Sequence, residues 1–160
     1  MRAATAIGVL VVEDFGPYRS FVTSLINRNP PFLVIGEAVD GLEAVDKVQE
    51  LRPDLVLMDI ALPKLDGLEA ARRIKALSSA PRVIFLSSHS DAEIVEEAFA
   101  LGACGFIAKN HAASHLIAAL EAAFHRRASV SSCLVQIVDE EKARKAVLAV
   151  GCCQSLRTLP

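Results

Sequence analysis

Apolar runs and helix-spaced segments alternate from residue 7 to about residue 126. The runs IGVLVV (7–12), FLVIGEA (32–38), LVLM (55–58), VIFL (83–86) and GFIA (105–108) have the length of strands, and most are apolar on both faces. Such runs belong to strands covered from both sides. Between them, Phe21, Leu25 and Ile26 share one face of a helix over about 17–27. Leu42, Val45 and Val48 do so over 41–51, and Leu68, Ala71, Ile74 and Leu77 over 68–77. Two more helices follow, at about 92–101 and 112–126. Asp91 suits the N-cap of the first of these and Gly102 its C′ position. Pro30-Pro31, Pro53, Pro63 and Asp66-Gly67 punctuate the pattern. The order is (βα)5 with short connections. It predicts an α/β three-layer sandwich, a parallel five-stranded sheet with helices on both faces.

Polar residues stand where these strands end: Glu13-Asp14, Asp59, Ser87 and Lys109. Carboxyl ends of parallel strands are where ligands bind in such sheets. One acid at a strand end is ordinarily a solvated loop residue. Three acids, a hydroxyl and an amine at the ends of four different strands point to one assembled site. Asp14, Asp59 and Glu13 make a hard-oxygen set suited to Mg2+, which holds octahedral geometry and keeps several waters. Asp59 is then the nucleophile for a phosphoryl group, Lys109 neutralises the group's charge, and Ser87 donates a hydrogen bond to it. Positioning and electrostatics carry such a transfer, with no general base.

Bulk properties narrow the class. The 160 residues are 52% hydrophobic, which is ample for one domain's core. Net charge is −2 overall, with residues 1–127 at −3 and 128–160 at +1, so DNA binding by this chain is not expected. The apolar runs are far short of the roughly 20 residues that span a bilayer. Acids follow the first run at once, against a signal peptide, and a cytoplasmic protein is expected. Cys104, Cys133, Cys152 and Cys153 show no metal-ligand spacing and are expected as reduced thiols.

Over about residues 6–127 the chain resembles the receiver domain of two-component response regulators. The resemblance rests on VVED, on LVLMDIALPKLDG with Pro63 four and Gly67 eight residues after Asp59, on FLSS, and on GFIAK with Phe106 three before Lys109. It implies a flavodoxin-like fold of strand order 2-1-3-4-5, with Asp59 as phosphoacceptor. It implies Mg2+ held by Asp14, Asp59 and the carbonyl of Ala61, with Glu13 assisting. It also implies a sensor histidine kinase or phosphotransfer protein docked on the first helix. Ser87 and Phe106 are the implied switch pair: one moves toward the phosphoryl group and the other turns inward, reshaping the face of helix four, strand five and helix five. Ala61 and His89 resemble positions that tune dephosphorylation. Ser in place of the more usual Thr keeps the donor and loses a methyl, and Phe106 lacks the hydroxyl of the Tyr often found there.

Rival enzymes fit poorly. A haloacid-dehalogenase-type phosphatase wants a second Asp where Ala61 stands, and EDFGPY is not a dinucleotide-binding glycine motif. The protein is therefore expected to be no enzyme beyond catalysing its own Asp phosphorylation and dephosphorylation. EAFALGACGFIAKN resembles receivers of LuxR-type regulators, yet a DNA-binding domain needs about 60 further residues and 33 follow Arg127. The expectation is a receiver domain over 1–127, acting alone on an unknown downstream protein, with homodimerisation open to it. A truncated LuxR-type regulator and a phosphorylation-independent binding module are the alternatives. Residues 128–160 form a C-terminal extension. It reads as one helix, or as a short strand and then a helix, with the helix at about 139–150 before a frayed end.

Overall fold

The computed structural model describes residues 5–125 and 135–137. Among the described residues, five strands and five α-helices follow the expected alternation and a further strand comes after them: β1 Ile7–Val12, α1 Gly16–Asn27, β2 Phe32–Ala38, α2 Gly41–Leu51, β3 Leu55–Asp59, α3 Gly67–Lys75, β4 Arg82–Ser87, α4 Ala92–Ala100, β5 Gly105–Ala108, α5 Ala112–His125 and β6 Val135–Ile137. The sheet order is β2-β1-β3-β4-β5-β6, parallel throughout. The predicted 2-1-3-4-5 core is therefore present.

Alternation along the strands divides the core into two layers. Leu10, Val12, Val56, Met58, Val83, Phe85 and Phe106 face α2, α3 and α4. Val9, Val11, Leu55, Leu57, Ile84, Leu86 and Ile107 face α1 and α5. Each layer removes whole side chains from water, at about 1.5–3 kcal/mol for a buried Val, Leu, Ile, Phe or Met.

Two expectations change. The sheet gains a sixth strand: Val135–Ile137 pairs with Gly105–Ile107 after α5 has crossed over, so the strand reading holds for the start of the tail. β-branched residues suit that place. The expected helix at 139–150 lies outside the described residues. Phe21 and Leu42 were expected on buried helix faces but are 43% and 44% exposed. Val22 and Ile26 fill the α1 face, and Ala44 and Val48 the α2 face.

Gly102 does close α4. Its φ of 88° suits a residue without Cβ, and the amides of Gly102 and Ala103 return to the carbonyls of Phe99 and Ala98.

Candidate functional site

β1 lies between β2 and β3, and its connection and that of β3 leave to opposite faces of the sheet. That reversal opens a crevice at the carboxyl ends. The cleft there has a volume of about 770 Å³, and Glu13, Asp14, Asp59, Ala61 and Lys109 all line it.

Each side chain is delivered by a strand end. The amide of Glu13 bonds to the carbonyl of Ala38 at 3.0 Å, continuing the ladder one residue past β1, and this carries Glu13 into a buried position. Asp14, next in sequence, is exposed. Asp59 closes β3 and is 2% exposed. Its Oδ1 accepts from the amide of Ala61 at 3.2 Å, and its Oδ2 accepts from Lys109 Nζ at 2.8 Å. Lys109 opens a single 3-10 turn, Lys109–His111, directly after β5, and its Nζ is also 2.6 Å from Glu13 Oε2. Tyr18 of α1 completes the wall. Its hydroxyl donates to the carbonyl of Lys109 at 3.1 Å, and its ring centroid lies 4.9 Å from Nζ.

Glycine places Asp59. A Cβ on Gly67 would stand 2.0 Å from the carbonyl oxygen of Asp59, so only glycine lets α3 start against that peptide. The amide of Gly67 donates to the carbonyl of Ile60 at 2.9 Å, closing the loop. Gly41 meets the same loop from the other side, where a Cβ would lie 2.1 Å from the carbonyl oxygen of Leu65.

The electrostatics are unbalanced. Three carboxylates face one ammonium, leaving two formal negative charges. Burial pushes the Glu13 carboxyl above its ordinary value and the charge of Asp59 adds to this, with Lys109 offsetting only part. Burial and the charges of Glu13 and Asp59 push the Tyr18 hydroxyl up to about 12. Burial works against the charge on Lys109, but its bonds to Asp59 and Glu13 outweigh that and raise it above the usual lysine value.

A divalent cation fits this set. One oxygen each from Glu13, Asp14 and Asp59 can lie within 4.8 Å of one another. Glu13 Oε2 is buried and shares the ammonium of Lys109, at 2.6 Å, with Asp59 Oδ2 at 2.8 Å, so the acids outnumber the cation beside them. The donors are hard carboxylate oxygens, which suit Mg2+ and not a thiophilic metal.

The remaining predicted residues stand apart from the cleft lining. Ser87 is buried at the end of β4, and its Oγ accepts from the amide of His89 at 3.0 Å. His89 is exposed, and Ser88 and Ser90 line the cleft instead. Phe106 is fully buried against the α2–α3–α4 layer, so it already stands inward. The sequence reading missed Phe15, Tyr18 and Asn110 as lining residues. Tyr18 carried a usable signal, being one helical turn beyond Asp14 on the helix that starts at the site.

An acidic, cation-receptive centre at the switch point of a parallel sheet narrows the class before any relative is considered. The family model for the response regulator receiver domain matches residues 9–121, and the chain belongs to that family. The chain is 42% identical over 105 residues to protein-glutamate methylesterase/protein-glutamine glutaminase 1 of Methanospirillum hungatei, covering 64% of this chain and 31% of that protein. It is 40% identical over 114 residues to protein-glutamate methylesterase/protein-glutamine glutaminase 2 of Koribacter versatilis, covering 70% and 31%. Among solved structures, a LuxR-family two-component response regulator from Aurantimonas superposes with a TM-score of 0.77 at 28% identity, over 90% of this chain and 97% of that one. The response regulator domain of Thermotoga maritima CheB gives 0.71 at 35% identity, over 77% and 99%.

The chain thus spans less than a third of the length of these curated relatives. The expectation of a non-enzyme is corrected here, because the relatives carry the names of enzymes and the chain aligns with one part of them. Among the described residues, no helix is long and apolar enough to cross a membrane.

Proposed function

We propose that this receiver accepts a phosphoryl group on Asp59 from the phosphohistidine of a sensor kinase or phosphotransfer protein, and that the phosphorylated form engages a downstream partner. A carboxylate oxygen of Asp59 attacks phosphorus and the P–N bond to the imidazole breaks. The imidazole leaves with the electron pair and is protonated from water. Glu13, Asp14, Asp59 and the carbonyl of Ala61 would hold Mg2+, which supplies charge neutralisation for the phosphoryl oxygens. Lys109, now held between Glu13 and Asp59, is placed to follow the charge onto the phosphoryl group. Ser87 can give up the amide of His89 and turn its hydroxyl to the same group. That is a local charge change biasing a two-state element.

The observation that carries this reading is the Asp59 carboxylate, buried at the floor of the cleft with Lys109 on one oxygen and the Ala61 amide on the other. The test is intact mass after incubation with Mg2+ and acetyl phosphate. One phosphoryl adduct on the wild type and none on Asp59→Asn is expected. No adduct, and no beryllofluoride complex either, would leave a binding module that works without phosphorylation.

The names of the relatives favour one output. We infer that the receiver's phosphorylation state serves a protein-glutamate methylesterase or glutaminase function, as the two relatives' names suggest. Hydrolysis of a methylated glutamyl substrate by the longest natural product of this gene, with and without acetyl phosphate, tests this. A rate indifferent to phosphorylation counts against it.

A further inference from the structure

The turn from β1 into α1 has an anomaly. Its N-cap residue is Phe15, whose side chain can accept no hydrogen bond, and Pro17 follows within the first turn. Polar N-caps usually fix such turns. This turn carries Glu13 and Asp14, so whatever fixes it also fixes two of the three acids.

Arg19 is the group in place to do so. Its Nη1 donates to the carbonyl of Glu13 at 2.8 Å and to that of Asp14 at 3.4 Å. Its Nε donates to Glu37 Oε2 at 3.0 Å, and Glu37 Oε1 accepts from Thr23 Oγ1 at 2.8 Å. Lys47 Nζ donates to the backbone carbonyl of Glu37. The guanidinium is therefore anchored from β2 and α1 and grips two successive peptide oxygens. At the same turn, the amide of Phe15 donates to Glu13 Oε1 at 3.2 Å. The two ties together engage the backbone from Glu13 to Phe15.

We propose that Arg19, held by Glu37, is a positioning residue for the cation site. It turns the peptides of Glu13 and Asp14 so that their carboxylates converge with that of Asp59. This rests on the receiver reading above. A planar fork with fixed donors suits the task, and a lysine can make only part of it. Groups that orient metal ligands from behind typically contribute about 10–100-fold in metal affinity.

The chain supplies its own probe. It has one tyrosine and no tryptophan, and Tyr18 lines the cleft beside Lys109. Mg2+ titrations followed by Tyr18 fluorescence and by calorimetry, on wild type, Arg19→Ala, Arg19→Lys and Glu37→Gln, test the proposal. Urea unfolding of each variant is run in parallel. About a tenfold or larger loss of Mg2+ affinity is expected for Arg19→Ala, a smaller loss for Glu37→Gln, and partial recovery in Arg19→Lys. A folded Arg19→Ala that binds Mg2+ within twofold of wild type overturns it. If Arg19→Ala does not fold, unchanged affinity in both Glu37→Gln and Arg19→Lys overturns it equally. A wild-type protein that takes up no Mg2+ would sink the receiver reading and this proposal together.

Discussion

The loop after Asp59 and the loop after Ser87 leave neighbouring strands at the same end of the sheet, yet they are held in opposite ways. Residues 60–66 are pinned at every step. Ile60 and Gly67 close the loop, Gly41 and Gly67 crowd its backbone, and Lys64, at a φ of 63°, reaches back to Asp40 Oδ2 at 2.6 Å. Asp40 is itself buried and caps α2 through the amide of Glu43 at 2.8 Å. Residues 88–91 have far less. The amide of His89 rests on Ser87 Oγ, and Asp91 stands at the N-cap of α4 with no side-chain capping bond. Local opening costs least where few buried contacts and bonds must be given up. Asp59 thus precedes the more tightly tied loop and Ser87 the less tied one, and the proposed phosphotransfer would draw on that difference.

The sharpest way to break this contrast is Gly67→Ala. Its Cβ would force the Asp59 peptide or the start of α3 to move, and such overpacking costs up to about 3 kcal/mol. Urea unfolding should show that loss, and acetyl phosphate should label the variant poorly. A near-native midpoint would mean that the acceptor loop yields easily and the contrast is false.

Asp40→Ala comes next. Removing an N-cap acceptor costs about 1 kcal/mol, here with the Lys64 tie lost as well. The amide of Glu43 first, and then Lys64, hold the Asp40 carboxyl below its ordinary value of 3.8. A carboxyl lowered on folding stabilises above its unfolded pKa, and that part is lost as the pH falls through the lower folded value. The gap between wild type and Asp40→Ala should therefore be widest at neutral pH and narrow below about pH 4. Urea midpoints at several pH values would show it, and a gap independent of pH would remove the ion pair's part in bracing the loop.

The smallest effect is expected from Asp91→Ala, within about 0.5 kcal/mol, because no capping bond is lost. Should it match Asp40→Ala in the same urea series, the two loops are equally tied.

The strand ends were legible because position and residue type coincide there. An apolar run fixes where a strand stops, and the next polar side chain must lie at the rim. Glu13, Asp14, Asp59 and Lys109 were found in this way, and the structure gathers them around one cleft. The ties behind them were not legible. Arg19 binds peptide oxygens, which leave no mark in the sequence, and Asp40 meets Lys64 across 24 residues only because α2 and the acceptor loop pack together. Helical spacing also overstated burial at Phe21 and Leu42, since periodicity gives a candidate face but not which of its neighbouring positions the packing fills, here Val22 and Ile26 in α1 and Ala44 and Val48 in α2.

β6 has a consequence for how this molecule behaves in company. It occupies the outer edge of β5 through Gly105–Ile107, and among the described residues the border on that side is three residues long. The opposite border, β2, is interrupted where its register slips between Val34 and Gly36. Short and irregular borders are poor templates for a neighbour's backbone. Along the described borders, then, a second copy finds little backbone on which to extend the sheet.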